Sequence, residues 1–284
     1  MSASLHDLLA LLTVRFAKRN KGKLQSTNSS QFYQEFFDNE HLAQYDHDLR
    51  SVLRHEEIQR VTDDLPGGFK MLDLGCGVGH ILTIAPASFT KVGVDYSHSS
   101  LKLARSQLHE PTALVNGSGQ ALPFADNSFD LVTCLEVLEH LEDDETAVGE
   151  ISRVLKPGGY LIASVPNQYY FPEYRELMGH YRHYTPASFA DLLAHHQIGV
   201  SKYLNEYKWF NFFYFYAYVV LEGMNLLSNR VMRTSTSLYK RKIPLVNVAL
   251  YSGMVAPVFR QIKKLDEGQR ARRPSTFVVA QLSQ

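Results

Sequence analysis

The sequence predicts an α/β fold built on a doubly wound, mostly parallel sheet. Three observations predict it. The apolar run Phe69 to Leu74 reads as a buried strand, and Gly75, Gly77 and Gly79 follow at alternate positions before an apolar, helix-like stretch. A second strand-like run, Lys91 to Val94, closes on Asp95, an acid about 20 positions beyond the loop, where a nucleoside-binding half-domain keeps the carboxylate that grips ribose hydroxyls. From Phe69 onward, strand-like and helix-like segments alternate. A strand that turns through glycines into a helix brings bare backbone N–H groups against a ligand.

The elements follow in order. Leu5, Leu8, Leu9, Leu12 and Phe16 recur at helical spacing, with Arg15, Lys18, Arg19, Lys21 and Lys23 beside and after them. Charges that follow the apolar stretch, with no small-residue cleavage site, argue against a secretory signal. A helix packed on the domain is the plain reading, and an organellar presequence the weaker one. Residues 25–65 read as polar helices carrying the aromatic set Phe32, Tyr33, Phe36, Phe37 and Tyr45. Strands are expected at 69–74, 91–95, 112–116, 129–134 and 159–165, with helices between them. Ser188 to His196 reads as a further helix, with Thr185 a natural N-cap before Pro186. Val200 to Leu204 reads as a sixth strand, and Thr276 to Leu282 as a closing one. Four units result: an N-terminal helical cap at 1–65, a core at 66–205, a hydrophobic and basic insert at 206–272, and the closing strand of the core at 273–284.

The 284 residues suffice for a sizeable core, and 45% hydrophobic content excludes general disorder. The two cysteines, Cys76 and Cys134, fall in core segments without zinc or disulfide spacing, which fits a reducing, cytoplasmic setting. A formal net charge of zero hides an asymmetry. Residues 1–24 carry five basic and one acidic side chain, residues 25–203 carry 12 and 24, and residues 204–264 carry nine and two. The acidic core makes nucleic acid a poor partner, and none is expected, because phosphates would meet a negative field. The basic flanks run beside apolar segments. Trp209 to Leu221 is broken only by Asn211, and Ile243 to Phe259 has no charge. The first is too short to span a bilayer, and the second contains Pro244, Gly253 and Pro257. Apolar, aromatic segments edged by Lys and Arg fit an anionic membrane surface. A lid over the site, or a dimer contact, is the alternative.

The glycine loop also discriminates between ligands. A dinucleotide loop needs glycine at its sixth position, and His80 stands there. Gly75-x-Gly77-x-Gly79 after a strand carrying Asp73 instead resembles motif I of class I S-adenosylmethionine-dependent methyltransferases. Further pieces follow in that family's order: Leu122-Pro123-Phe124 with Phe129-Asp130, then Val137-Leu138-Glu139-His140, then Leu155-Lys156-Pro157-Gly158-Gly159. The resemblance runs from about Phe69 to Asn167 and is of the methyltransferase type 11 kind. It implies a Rossmann-like, seven-stranded sheet with an antiparallel last strand, S-adenosyl-L-methionine as cofactor, and N-terminal helices over the substrate mouth.

The resemblance also assigns roles. Asp73 would reach the methionine ammonium, and Gly75, Gly77 and Gly79 would let the backbone approach the methionine and ribose. Asp95 would bind the ribose, with Tyr96 and Ser97 flanking the adenine. Ser118 stands where the family usually has an acid for the adenine amino group. Glu136 would line the cofactor pocket. On a helix, Glu136, Glu139 and His140 would share one face, a set that could bind a divalent cation, as the resemblance of this run to quinone-pathway O-methyltransferases implies. Many members with the same segment use no metal, and none is assigned here. His140 is then a base or an acceptor contact. In Gly179 to Pro186, His183 is placed to take a proton and Arg182 to hold a phosphate or carboxylate. Alternatively Arg182 pairs with an acid of the core while Tyr184 packs.

Methyl transfer from a sulfonium needs alignment and, often, deprotonation of the acceptor. The expected activity is methylation, preferably on oxygen, of a lipophilic small molecule or lipid-linked acceptor by an enzyme peripheral to a membrane. Two other readings stand beside it: a soluble methyltransferase with a hydrophobic lid or dimer insert, and a cofactor-binding partner protein without turnover. The oligomeric state is left open.

Overall fold

The computed structural model describes residues 49–167, 175, 179–204 and 275–283. Its elements are α1 (Leu49–Asp63), β1 (Lys70–Leu74), α2 (His80–Ile84), β2 (Thr90–Asp95), α3 (His98–Gln107), β3 (Ala113–Asn116), β4 (Phe129–Leu135), α4 (Asp144–Val154), β5 (Leu155–Pro166), α5 (Pro186–His195), β6 (Ile198–Tyr203) and β7 (Ser275–Leu282). Every strand expected from the sequence is present. The helix expected at 25–65 appears in its last part as α1. The apolar N-terminal segment, the aromatics Phe32 to Tyr45 and the insert with Trp209 to Leu221 and Ile243 to Phe259 lie outside the described residues.

The strands form one sheet in the order β3-β2-β1-β4-β5-β7-β6. The first five pair in parallel. Only β7 runs the other way, between β5 and β6. The chain leaves β1 toward β2 and β3, then returns to β4 on β1's other side. Such a reversal opens a crevice at the carboxyl ends of the two central strands.

Alternation along the strands divides the core between the two faces. In β1, Leu72 and Leu74 pack with Ala147, Val148 and Ile151 of α4 and Phe189 of α5. Met71 packs on the other face with Ile58 of α1 and Ile81 of α2. Each fully buried aliphatic side chain contributes about 1.5–3 kcal/mol. The helix starts agree with their sequences. Asp143 caps α4 by accepting from Thr146 N–H, and Thr185 and Ser188 form a reciprocal capping box at α5, with Pro186 in its first turn.

The Lys156 to Gly159 turn expected before the fifth strand lies inside β5. Phe129 pairs with Leu155 and Leu131 with Tyr160, so the extra residues bulge out between the two pairs, with Gly158 at φ 75°. The segment Leu122 to Phe124 is held by α4. Leu122 N–H donates to Glu150, Arg153 donates to the Leu122 and Phe124 carbonyls, and the Phe124 ring stands edge-on to Phe129 at 5.0 Å.

Candidate functional site

The site forms where β1, β2 and β4 end. Gly75, Gly77 and Gly79 all have positive φ, at 74°, 51° and 88°. Gly75 is also sterically required, since a Cβ there would lie 2.3 Å from Val137 Cγ2. The turn is tied to β2. Gly75 and Cys76 N–H groups donate to the Val94 carbonyl, and Gly77 N–H donates to Asp95 Oδ2 at 2.8 Å.

Asp73 is buried at the centre of this arrangement. Thr133 on β4 donates to its Oδ1 at 2.6 Å, while Oδ2 has no hydrogen-bond partner. Burial pushes the Asp73 carboxyl up to about 7, against the Thr133 bond, and the nearby Asp95 adds to the rise. A carboxylate held inside the protein with one oxygen unsatisfied is a seat for a cation. That fits the ammonium of an amino-acid-bearing ligand such as S-adenosylmethionine.

Asp95 accepts from Gly77 N–H and, through Oδ1, from Ser97 N–H at 2.8 Å. Burial raises its carboxyl above the ordinary value despite these two bonds. Its remaining lone pairs are those a ribose would use. Tyr96 is 60% exposed beside it, a flat apolar face at the mouth of the crevice. Ser118 follows β3, where the Gly117 N–H bonds the Asp95 carbonyl; the Ser118 hydroxyl accepts from Gln120 N–H. Ser97 departs from its expected role. Its side chain is buried and caps α3, accepting from Ser100 N–H, so it is the Ser97 backbone that serves the site, by holding Asp95.

The helix expected for Glu136 to His140 is absent. Glu136 has φ 54°, and only Leu138 to His140 make a single 3₁₀ turn. Glu136 therefore does not share a helical face with the next two. Its carboxylate accepts from Ser164 Oγ at 2.8 Å and lies 3.7 Å from Arg54 of α1. Glu139 is fully buried and neither of its carboxylate oxygens has a hydrogen-bond partner. Desolvation and the charge of Glu136 hold its carboxyl well above the carboxylate range.

His140 meets a group from a distant part of the chain. Its ring stands edge-on to His180 at 4.4 Å between centroids, and His180 Nδ1 lies 2.9 Å from His183 Nε2. The Tyr181 N–H donates to the Glu139 carbonyl, tying the two segments together. Burial, with the neighbouring His183, pushes His140 down to about 3. Burial, with Arg175, pushes His183 down to about 4. Both rings are neutral at physiological pH and offer lone pairs rather than stored protons.

Arg182 is corrected from acceptor binding to structure. It pairs with Asp144 and donates to the Glu142 carbonyl, while the Tyr184 hydroxyl donates to the other Asp144 oxygen at 2.7 Å. Tyr184 packs on Phe189. The structure thus brings together His140 and His183, adds His180, and engages Arg182 elsewhere. Sequence reasoning also missed Thr133, a polar residue in an apolar strand, and Arg54.

The comparisons agree with this geometry. Residues 72–163 match the family model described as a methyltransferase domain. A demethylmenaquinone methyltransferase of Staphylococcus aureus is 34% identical over 148 residues, covering 50% of this chain and 58% of its own. A ubiquinone biosynthesis O-methyltransferase of Thiobacillus denitrificans is 37% identical over 107 residues, covering 36% and 46%. The chain spans about half the length of the curated relatives it matches. In fold, it is similar to the N-methyltransferase NodS of Bradyrhizobium japonicum in complex with S-adenosyl-L-homocysteine, with a TM-score of 0.54 at 18% identity, covering 62% of this chain and 89% of that one.

Proposed function

We propose that this chain, whose core is a class I S-adenosylmethionine-dependent methyltransferase domain, methylates an oxygen of a lipophilic, quinone-like small molecule at a membrane surface. The observation that carries the proposal is the Asp73 carboxylate, buried beside the glycine loop with one oxygen unpartnered. When bound, S-adenosylmethionine supplies a methyl group on a sulfonium, a leaving group that departs neutral.

The chain's own residues have separate tasks. Asp73 would hold the methionine ammonium, and Thr133 keeps that carboxylate oriented by occupying its other oxygen. Asp95 would hold the ribose and also fixes the Gly77 N–H and the start of α3. Tyr96 would cover one face of the adenine, with Ser118 at its edge and Glu136 beside the methionine end. Val137 packs against Gly75 and fixes the width of the loop there. The acceptor lies beside His140 and His183, three and more residues beyond Val137, where neutral imidazoles give lone pairs to an acceptor hydroxyl.

The acceptor class is supported by the two curated relatives, one named for demethylmenaquinone and the other for ubiquinone biosynthesis. The membrane surface is supported by the nine basic and two acidic side chains of residues 204–264 beside their apolar runs. Among the described residues, no helix is long and apolar enough to cross a membrane. The test is methyl transfer from S-adenosylmethionine labelled in its methyl group into an extract of isoprenoid quinols, alongside hydrophilic phenols and sugars. Label in the quinol fraction, on oxygen, is expected. Label only in the hydrophilic acceptors, or none, overturns the proposal.

A further inference from the structure

We infer that the carboxyl end of the sheet is the face that docks on an anionic membrane, with the strands standing along the membrane normal and the crevice opening toward the lipid. This orientation rests on the membrane reading given above and adds the face that serves it. Two observations point to it: where the described chain stops and resumes, and which side chains are exposed there.

The first five strands run in parallel, so their carboxyl ends share one edge with the glycine loop. β5 reaches that edge at Pro166, opposite Ser275, where the described chain resumes after residues 205–274. β6 runs antiparallel to β7 and so ends at the same edge, where Leu204 N–H donates to the Phe277 carbonyl at 2.8 Å. Residues 205–274 therefore both leave and rejoin the sheet at its carboxyl end. Residues 168–174 follow Asn167, which stands next to Pro166. The helix α1 starts at this end too. Arg54 in its second turn meets Glu136, just beyond β4, while its last residue, Asp63, leads to the start of β1. Residues 1–48 precede it.

Composition decides what this end meets. Residues 1–24 carry five basic and one acidic side chain, and residues 204–264 nine and two, the latter beside the aromatic run Trp209 to Leu221. Attraction to anionic lipid falls off within a Debye length of ~8–10 Å, so such charges act only when their end of the molecule faces the surface. The described rim has a matching character. Of the four large hydrophobic side chains exposed among the described residues, Tyr96, Tyr181 and Tyr203 stand at this end, and Leu103 on α3 is the exception. Tyrosine suits a membrane interface because its ring is apolar and its hydroxyl stays wet. Lys202 is exposed beside Tyr203. Most acids described here are engaged: Asp143 caps α4, Asp144 pairs with Arg182, and Glu136 bonds Ser164. An acceptor with an apolar tail would then pass from lipid to His140 and His183 without crossing bulk water.

The experiment uses the full 284-residue chain carrying single cysteines for a fluorescent label, since the native Cys76 and Cys134 are buried. Tyr181→Cys and Tyr203→Cys mark the carboxyl end. Ala87→Cys and Ala125→Cys, at exposed positions before β2 and β4, mark the other end. The seven residues of β4 set the two ends about 20 Å apart, beyond contact quenching. Each labelled protein is mixed with vesicles of equal phosphatidylglycerol and phosphatidylcholine that carry a lipid with a nitroxide quencher on its acyl chain. Sedimentation is measured on the same samples. The proteins should sediment with the vesicles. The labels replacing Tyr181 and Tyr203 should then lose most of their fluorescence, and those replacing Ala87 and Ala125 should keep theirs. Sedimentation with quenching at the Ala87 or Ala125 position, or with none at Tyr181 and Tyr203, overturns the orientation and leaves the membrane reading standing. No sedimentation of any protein, the unlabelled wild type included, overturns both.

Discussion

Thr133 and Asp73 are register partners on β4 and β1, and the threonine hydroxyl donates to Asp73 Oδ1 at 2.6 Å within the buried sheet. One bond to one oxygen orients the carboxylate without satisfying it. The other oxygen is left for a ligand, and the cost of that arrangement is visible in a carboxyl pushed up to about 7 by burial.

Cofactor affinity should therefore depend on pH near neutrality. An ammonium binds the ionised carboxylate, and ligand binding to one protonation state draws the proton off. With Asp73 near 7 in the free protein, affinity should fall about tenfold between pH 8 and pH 6. Calorimetry across that range is the check, and a flat profile contradicts the role given to Asp73.

Asp73→Asn should separate stability from binding. A folded-state pKa raised from 3.8 to about 7 means that stability falls as pH rises through that window, because the folded protein resists ionisation more than the unfolded chain. The neutral amide removes that burden. The melting temperature at pH 8 should rise, by about 2–4 °C for each kcal/mol relieved, while cofactor affinity drops at least tenfold. A variant that melts lower and binds normally would show that Asp73 is structural.

Gly75→Ala should destabilise the fold by about 1–3 kcal/mol through crowding against Val137 and the positive φ. Val137→Ala in the same chain should recover part of the loss, since it removes the clash and leaves the backbone strain. Chemical denaturation of both variants measures this, and no recovery would remove crowding as a cause.

The sheet was legible in the sequence because each strand is an apolar run bounded by turn residues, as in Phe69 to Leu74 and Phe129 to Cys134. The glycine loop and Asp95 were legible because their spacing is local. The acceptor side was harder to read for three reasons. Glu136 adopts φ 54°, so helical spacing misplaced it relative to Glu139. His180 reaches His140 only through tertiary packing across 40 residues, which no local period encodes. Arg182 has the composition of a ligand-binding arginine, but Asp144 of α4 claims it. Ser97 is similar, a site residue by position whose hydroxyl serves the helix cap.

Residues 204–264, with residues 1–24, should dock on anionic lipid. Each Lys or Arg near such a surface contributes about 1 kcal/mol, and buried aromatics add an apolar contribution. In vesicle sedimentation, binding should rise with anionic lipid content and fall with salt. Equal recovery in the supernatant with and without anionic vesicles contradicts docking and favours a hydrophobic lid.

Calorimetry of the Asp95→Ala variant shows whether this crevice holds S-adenosylmethionine. Asp95 anchors Gly77 and Ser97 and is the acid placed for the ribose. Charge-assisted hydrogen bonds contribute about 1.5–3 kcal/mol each, so the variant should bind S-adenosylmethionine and S-adenosylhomocysteine about 10- to 100-fold more weakly than the wild type. No heat of binding in the wild type, or the same affinity in both proteins, contradicts the account.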